Sequence, residues 1–229
     1  MRENFPCANT KLLLDNMNIL LIGPQGSGKG TQARLLVEKY GFYSFEMGGF
    51  LRKLAETNPE IAKIQNEKGK LVPDDMFFFA MKKLLGEKIK SSKGILLDGF
   101  PRSINQYQIL KNWFDERGEK LEIAFLIDIG KEETVRRLSA RRSCRKCGKI
   151  WNLATFPVPP SENKCDCGGE LYQRGDDTPE AIKKRLEEYS RVTKPLVGLL
   201  EKEGILVKIN GERPIGEIQK DLVRIVEGK

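Results

Sequence analysis

Apolar positions along the chain alternate between two spacings. Short apolar blocks bounded by turn residues occur at Ile19 to Ile22, Phe42 to Phe45, Gly94 to Leu97, Ile123 to Asp128 and Ile205 to Ile209, and their length predicts buried strands. Between them apolar residues fall three and four apart. This predicts helices over Thr31 to Tyr40 (stopped by Gly41), 51–57, 59–69, Asp74 to about Lys90, Ser103 to Arg117 and Glu132 to Arg142. A long helix started by Thr178-Pro179 and kinked at Pro195 follows, and a last one comes after Ile209. The aromatic run Phe77-Phe78-Phe79 is expected in the core. Strand and helix in alternation define an α/β protein with a five-stranded parallel sheet covered on both faces. Residues 143–177 break the pattern: rich in Cys, Gly and Pro, they read as an insertion needing its own staple. Residues 1–16 show no strong period and are expected to be an N-terminal extension, with Cys7 alone in it.

The 229 residues are enough for one large domain with insertions or for two small ones. Forty basic against 32 acidic side chains give a formal charge of +8, which suits phosphate-rich partners, nucleotides as well as nucleic acid. Histidine is absent, which excludes His general bases, Ser-His-Asp triads and His metal ligands. The sequence shows no apolar run long enough for a membrane span and no signal peptide, so the expectation is a soluble cytoplasmic protein.

The first strand runs into Gly23-Pro24-Gln25-Gly26-Ser27-Gly28-Lys29-Gly30-Thr31, the spacing of a phosphate-cradling loop with Gly30 in the usual hydroxyl slot and Thr31 one residue later. Glycines let backbone N–H groups converge on phosphate oxygens, the following helix adds its positive end, and Lys29 supplies a full charge. Together with the parallel sheet this is a P-loop NTPase-type three-layer fold. In the insertion, Cys144-x-x-Cys147 and Cys165-x-Cys167 supply four thiols in a core-poor segment. Structural zinc in a closed tetrahedral shell is the natural staple. Disulfides are the alternative, disfavoured in a reducing cytosol, and iron, free thiols and competition from Asp166 stay open. Arg52, Arg102, Arg137, Arg141, Arg174 and Arg185 carry forks that match phosphate oxygens, with ordinary solvated charge as the alternative. Arg137 and Arg141, four apart, are expected on one helix face. Asp98 closes an apolar strand at the edge where parallel sheets bind ligands, and either holds water around a phosphate-bound Mg or caps the next turn. Ser103-x-x-Gln106 is also a capping box.

In order, GPQGSGKGT, GKLVPDD at Gly69 to Asp75, LLDGFPRSINQ at Leu96 to Gln106, RRLSARR at Arg136 to Arg142, the Cys segment and LYQRGDDTPEAIKKRLEEY at Leu171 to Tyr189 closely resemble the adenylate kinase family, in its form with a long zinc-bearing lid. The likeness spans residues 17–227. It implies a core of 17–45, 76–139 and 178–229, an AMP-binding segment at 46–75 and a lid at 140–177. ATP is then bound by Gly26, Ser27, Gly28, Lys29, Gly30 and Thr31, with Arg137 and Arg213 near the adenine and Arg141 on the phosphates. AMP is held by Arg52, Lys70, Leu71, Val72, Gly99, Phe100, Pro101, Arg102, Gln106, Arg174 and Arg185. Lys29, Asp98, Arg102, Arg141, Arg174, Arg185 and Asp176 carry the catalytic roles, Asp176 and Asp177 acting in lid closure.

The implied reaction is reversible phosphoryl transfer from Mg-ATP to AMP giving two ADP, by a monomer without nucleic-acid or membrane partners. It needs no histidine, because a phosphate acceptor with a second pKa of about 6 is already an anion. Two positions depart from the family pattern S-T-G-D-x-L-R: Met47 stands for a threonine near the acceptor base and Gly49 for an aspartate near the Mg waters. They keep UMP, CMP or GMP open as acceptors. A nucleic-acid-binding ATPase and a nucleotide sensor without turnover are the readings from other classes.

Overall fold

The computed structural model describes residues 17–59, 78–79, 81–82, 84–86, 93–155 and 157–228. Its main sheet is built from β1 (Ile19–Ile22), β2 (Tyr43–Glu46), β3 (Ile95–Asp98), β4 (Ile123–Asp128) and β8 (Leu206–Asn210), all parallel, in the order β2-β3-β1-β4-β8. The strands carry apolar residues at successive positions because both faces are covered. Leu20, Ile22, Ile95, Leu97, Ala124 and Leu126 point to one face and pack on Tyr107, Leu110, Trp113 and Phe114 of α3 (Ile104–Asp115) and Leu196 and Leu200 of α6 (Lys194–Lys202). Ile19, Leu21, Leu96 and Phe125 point to the other. There they meet Ala33, Leu36 and Tyr40 of α1 (Lys29–Tyr40) and Ile218, Leu222 and Val226 of α7 (Ile215–Val226). The predicted three-layer α/β fold is therefore present, with strand limits shifted by a residue at β2, β3 and β8.

Several local expectations are corrected. The helix α2 (Met47–Thr57) starts at Met47 rather than at residue 51, because Glu46 accepts the Gly49 N–H and caps it. Of the aromatic run, Phe78 is buried, but Phe79 is 78 % exposed: neighbouring positions on a helix face different ways. The helix predicted to reach Arg142 is α4 (Lys131–Ser139), and the chain then enters β5 (Arg141–Cys144). β5 pairs antiparallel with β6 (Ile150–Asn152) and β7 (Leu171–Tyr172) in a separate sheet, order β6-β5-β7. Asn152 Nδ2 donates to the Arg137 carbonyl at 2.8 Å and Leu153 N to the Ala140 carbonyl at 2.9 Å, which satisfies the helix end and lets the ladder replace another turn. Arg137 and Arg141 therefore do not share a helix face.

The long C-terminal helix is α5 (Pro179–Glu188), capped by Thr178, then a π-helical stretch at Tyr189–Thr193, then α6 with Pro195 in its first turn. The wider turn sits just ahead of the residue that lacks a donor, so the break expected at Pro195 falls before it. The N-terminal extension with Cys7, the helix expected at 59–69 beyond Pro59, and Phe77 lie outside the described residues, as do all of the acceptor-side positions 60–75. Among the described residues no helix is long and apolar enough to cross a membrane.

Candidate active site and lid metal centre

The order in which strands are added changes sides at β1, with β3 and β2 on one flank and β4 and β8 on the other, so the crevice outside the carboxyl ends of β1, β3 and β4 is the expected ligand position. The glycine loop fills it. Gly23 has φ 149, and a Cβ there would stand 2.2 Å from the Ile127 carbonyl oxygen of β4, so only glycine lets the loop leave the sheet here. Gly28, at φ 97, caps α1 in the left-handed region. Lys29 is folded over its own loop, Nζ donating to the carbonyls of Gly23 at 2.9 Å and Pro24 at 2.7 Å and to Ser27 Oγ at 3.3 Å. Burial lowers its pKa to about 8; Asp98 opposes that shift, while Arg102, Arg185 and Arg141 add to it. Lys29 thus feels the charge of three arginines, and Arg185 in turn that of Arg141 and Arg102.

Asp98 is buried at the end of β3, and burial raises its pKa against the pull of Lys29 and Arg102. A Cβ on Gly30 would come 3.4 Å from Asp98 Oδ2, an ordinary contact distance, so the carboxylate lies beside the first turn of α1. Among the described residues, its carboxylate makes no hydrogen bond to the turn that follows, and the capping alternative has no support. That turn, Gly99 to Arg102, has Gly99 at φ 73 and a cis Phe100-Pro101 bond. Arg102 Nε donates to the Gly99 carbonyl at 2.8 Å, and its own N–H goes to Gln106 Oε1 at 2.9 Å, while Gln106 N–H goes to Ser103 Oγ at 3.1 Å. The capping role of Gln106 is therefore real and orients the arginine. Arg102 is open to solvent, yet burial lowers its pKa, the combination expected at the floor of an open cleft.

The neck of the insertion supplies the other arginines. Arg141 Nε and Nη2 donate to Asp177 Oδ2 and Oδ1 at 2.8 and 2.5 Å, and Arg185 Nη1 reaches Asp177 Oδ1 at 3.2 Å. Asp177 is fully buried, whereas Asp176 is exposed and pairs with Arg185 at 3.1 Å. Arg174 Nε donates to Ser143 Oγ at 2.8 Å, which fixes it beside β5. Arg137 is held by Glu133 at 2.6 Å and lies against the glycine loop, Nη1 3.4 Å from the Gly26 carbonyl. Arg213 stands apart in the turn after β8, paired with Asp221, its Nε buried without a partner. The side chain of Arg52 and residues Lys70, Leu71 and Val72 lie outside the described part. Sequence reasoning named Asp176 for the catalytic set; the buried acid joining two arginines is its neighbour.

In the insertion, the Sγ atoms of Cys144, Cys147, Cys165 and Cys167 all lie within 4.8 Å of one another. Cys144 and Cys167 are 3.5 Å apart and Cys147 and Cys165 3.6 Å. Tetrahedral zinc with Zn–S of about 2.3 Å requires S···S of about 3.8 Å, so the thiols present fit the metal. Trp151 Nε1 donates to Cys165 Sγ at 3.2 Å, an outer partner of the kind that orients a ligand. Gly169 permits the closure, since a Cβ there would lie 2.6 Å from Cys144 Sγ. Asp166 is taken by Lys149 and the Cys165 thiol and is not among the clustered ligands.

A glycine loop on the central strand, a lysine over it, a buried aspartate beside it and arginines from three further elements define a P-loop protein built to hold and transfer phosphoryl groups. The family model described as adenylate kinase matches residues 21–205. Curated relatives of that name include those of Archaeoglobus fulgidus, 39 % identical over 92 % of this chain and 98 % of its own, and Methanocella arvoryzae, 41 % identical over 90 % and 96 %. That of Clostridium tetani is 37 % identical over 92 % and 98 %. The chain belongs to the adenylate kinase family.

Proposed function

We propose that the chain transfers the γ-phosphoryl group of Mg-ATP reversibly to AMP, giving two ADP and maintaining adenine nucleotide balance. The observation that carries this is the glycine loop on β1 with Lys29 folded over it, near enough to Arg102, Arg141 and Arg185 to feel their charge, in a chain with no histidine and a reaction that requires no general base. The relatives named adenylate kinase support the same acceptor. Both nucleotides are small molecules, and one chain carries both halves of the site, so the reading takes it as a cytoplasmic monomer.

The backbone of Gly26 to Thr31 takes the donor phosphates, with Arg137 against the loop and Arg213 on the adenine side. Arg52, the 70–72 backbone, the Gly99 to Arg102 turn and Gln106 take AMP. Arg102, Arg141, Arg174 and Arg185 spread positive charge over the transferring group, which is where a loose phosphoryl transition state is stabilised. Asp98, close to the first turn of α1, would hold water around a donor-bound Mg, which would supply positive charge to the donor phosphates. Residues 46–75 and 140–177 close over the pair and exclude water that would otherwise accept the phosphoryl group. Cys144, Cys147, Cys165 and Cys167 would hold zinc as a structural staple that makes the lid a rigid body. An acceptor panel of AMP, UMP, CMP and GMP in a coupled ADP assay tests the reading: no ADP with AMP above the ATP-only control would sink it.

A further inference from the structure

Gln32 follows the glycine loop directly, in the opening turn of α1, and is 1 % exposed. Its Nε2 donates to the carbonyl of Ile215, the first residue of α7, at 3.0 Å, while its Oε1 is buried and accepts nothing among the described residues. A buried amide satisfied on one side only is less favourable than an apolar side chain filling the same space. The Ile215 carbonyl does not depend on it either, because a residue at the start of a helix already serves as an acceptor of the helix ladder. Stability therefore does not account for a glutamine here. Its bond is a geometric tie between the helix that carries Lys29 and the end of the turn formed by residues 210–214.

That turn stands on one flank of the glycine loop. From β1 the sheet extends through β3 toward the Arg102 turn on one side and through β4 to β8 on the other. With donor phosphates on the loop and the acceptor on the Arg102 side, the donor base is left the β4–β8 side. There the turn after β8 is pinned at its start: Gly211 N–H donates to the Asp128 carbonyl at 2.8 Å, and a Cβ on Gly211 would lie 2.8 Å from Ile127 Cγ2, so the backbone is pressed against the end of β4. Gln32 pins the other end, two residues after Arg213.

We propose that Gln32 is a positioning residue for the donor nucleotide: it sets the distance between the glycine loop, which takes the phosphates, and the turn 210–214, which takes the base. The inference rests on the reading of ATP as the phosphoryl donor. Without the bond the turn can shift relative to the loop, and a ligand that spans both must hold them in register with a loss of affinity. A ligand made of phosphates alone touches only the loop and is indifferent to the tie.

Two variants test this. Gln32→Met keeps the length and volume without the amide, and Gln32→Asn keeps the amide but withdraws it by one methylene. In both, calorimetric titration is expected to show ATP binding weakened by about two- to tenfold, the worth of one neutral hydrogen bond, with binding of inorganic tripolyphosphate unchanged. In turnover, KM for ATP should rise by the same factor, with KM for AMP and kcat at saturating ATP unchanged. A merely structural role would weaken both ligands alike. Equal weakening of ATP and tripolyphosphate, ATP binding at the wild-type level, or failure of both variants to fold would overturn the proposal. Lack of AMP turnover by the wild type would instead overturn the functional reading, and the two binding titrations would still decide the role of Gln32.

Discussion

Asp176 and Asp177 are neighbours in sequence with opposite environments, and replacing each by alanine measures the difference. Asp177 is 0 % exposed and accepts from two guanidinium groups whose side chains are 13 % and 25 % exposed. Its removal leaves Arg141 and Arg185 facing each other without the carboxylate between them. Breaking a buried ion pair costs about 3–5 kcal/mol, and the residual exposure of Arg185 favours the lower end. At roughly 2–4 °C per kcal/mol for a chain of this size, Asp177→Ala should lose about 6–12 °C in Tm. Asp176 is 53 % exposed, and its side-chain pairing with Arg185, beside a backbone hydrogen bond that alanine would keep, is a surface pair worth about 0–1 kcal/mol. Asp176→Ala should therefore lose no more than about 4 °C. Thermal unfolding of both variants, with and without a nucleotide, is the assay. Added ATP should recover more Tm in Asp177→Ala than in the wild type, because its phosphates supply the missing negative charge. Equal Tm losses in the two variants, or no extra recovery, would refute the assignment of Asp177 as the anchor of the arginines.

Lys29→Met is expected to reduce kcat by more than about tenfold, the usual size of a lost charge at a transferring phosphoryl group, with the far-UV spectrum retained; near-normal turnover removes Lys29 from the mechanism. With the Lys29 pKa lowered to about 8, the charged form prevails below that pH and is lost above it. ATP affinity should therefore be steady at neutral pH and weaken as pH rises through about 8, measured by calorimetric titration; a flat profile to pH 9.5 contradicts the assignment. Gly169→Ala brings a methyl group to 2.6 Å from Cys144 Sγ and should lower the zinc content found by elemental analysis, while the helical spectrum of the core stays unchanged.

The strands were legible because each is a compact apolar block ended by a turn residue or an acid: β1 and β4 lie where the pattern put them, bounded by Gly23 and Asp128. The four-cysteine cluster was legible because two close Cys pairs in a segment with little core suggest a common staple, with zinc favoured over disulfides, iron or free thiols. The position of Arg141 did not follow. Its neighbours carry helical spacing, and what turns the chain into a strand is pairing with residues 150–152 and 171–172, which no local window contains. Glu46 escaped notice because glutamate is not among the favoured capping residues. Asp177 was indistinguishable from Asp176, as only burial separates them, and burial is a property of the fold.

The salt bridge between Arg141 and Asp177 joins the strand that enters the insertion to the turn that leaves it. Everything distal to that clasp, the zinc centre included, is a loop closed at its own base. Arg141 and Arg185, proposed above to contact the phosphates, belong to the base, where Asp177 sets their spacing independently of the distal part. On the proposed function, the protein thus separates the part that would touch phosphate from the part that gives the lid its mass.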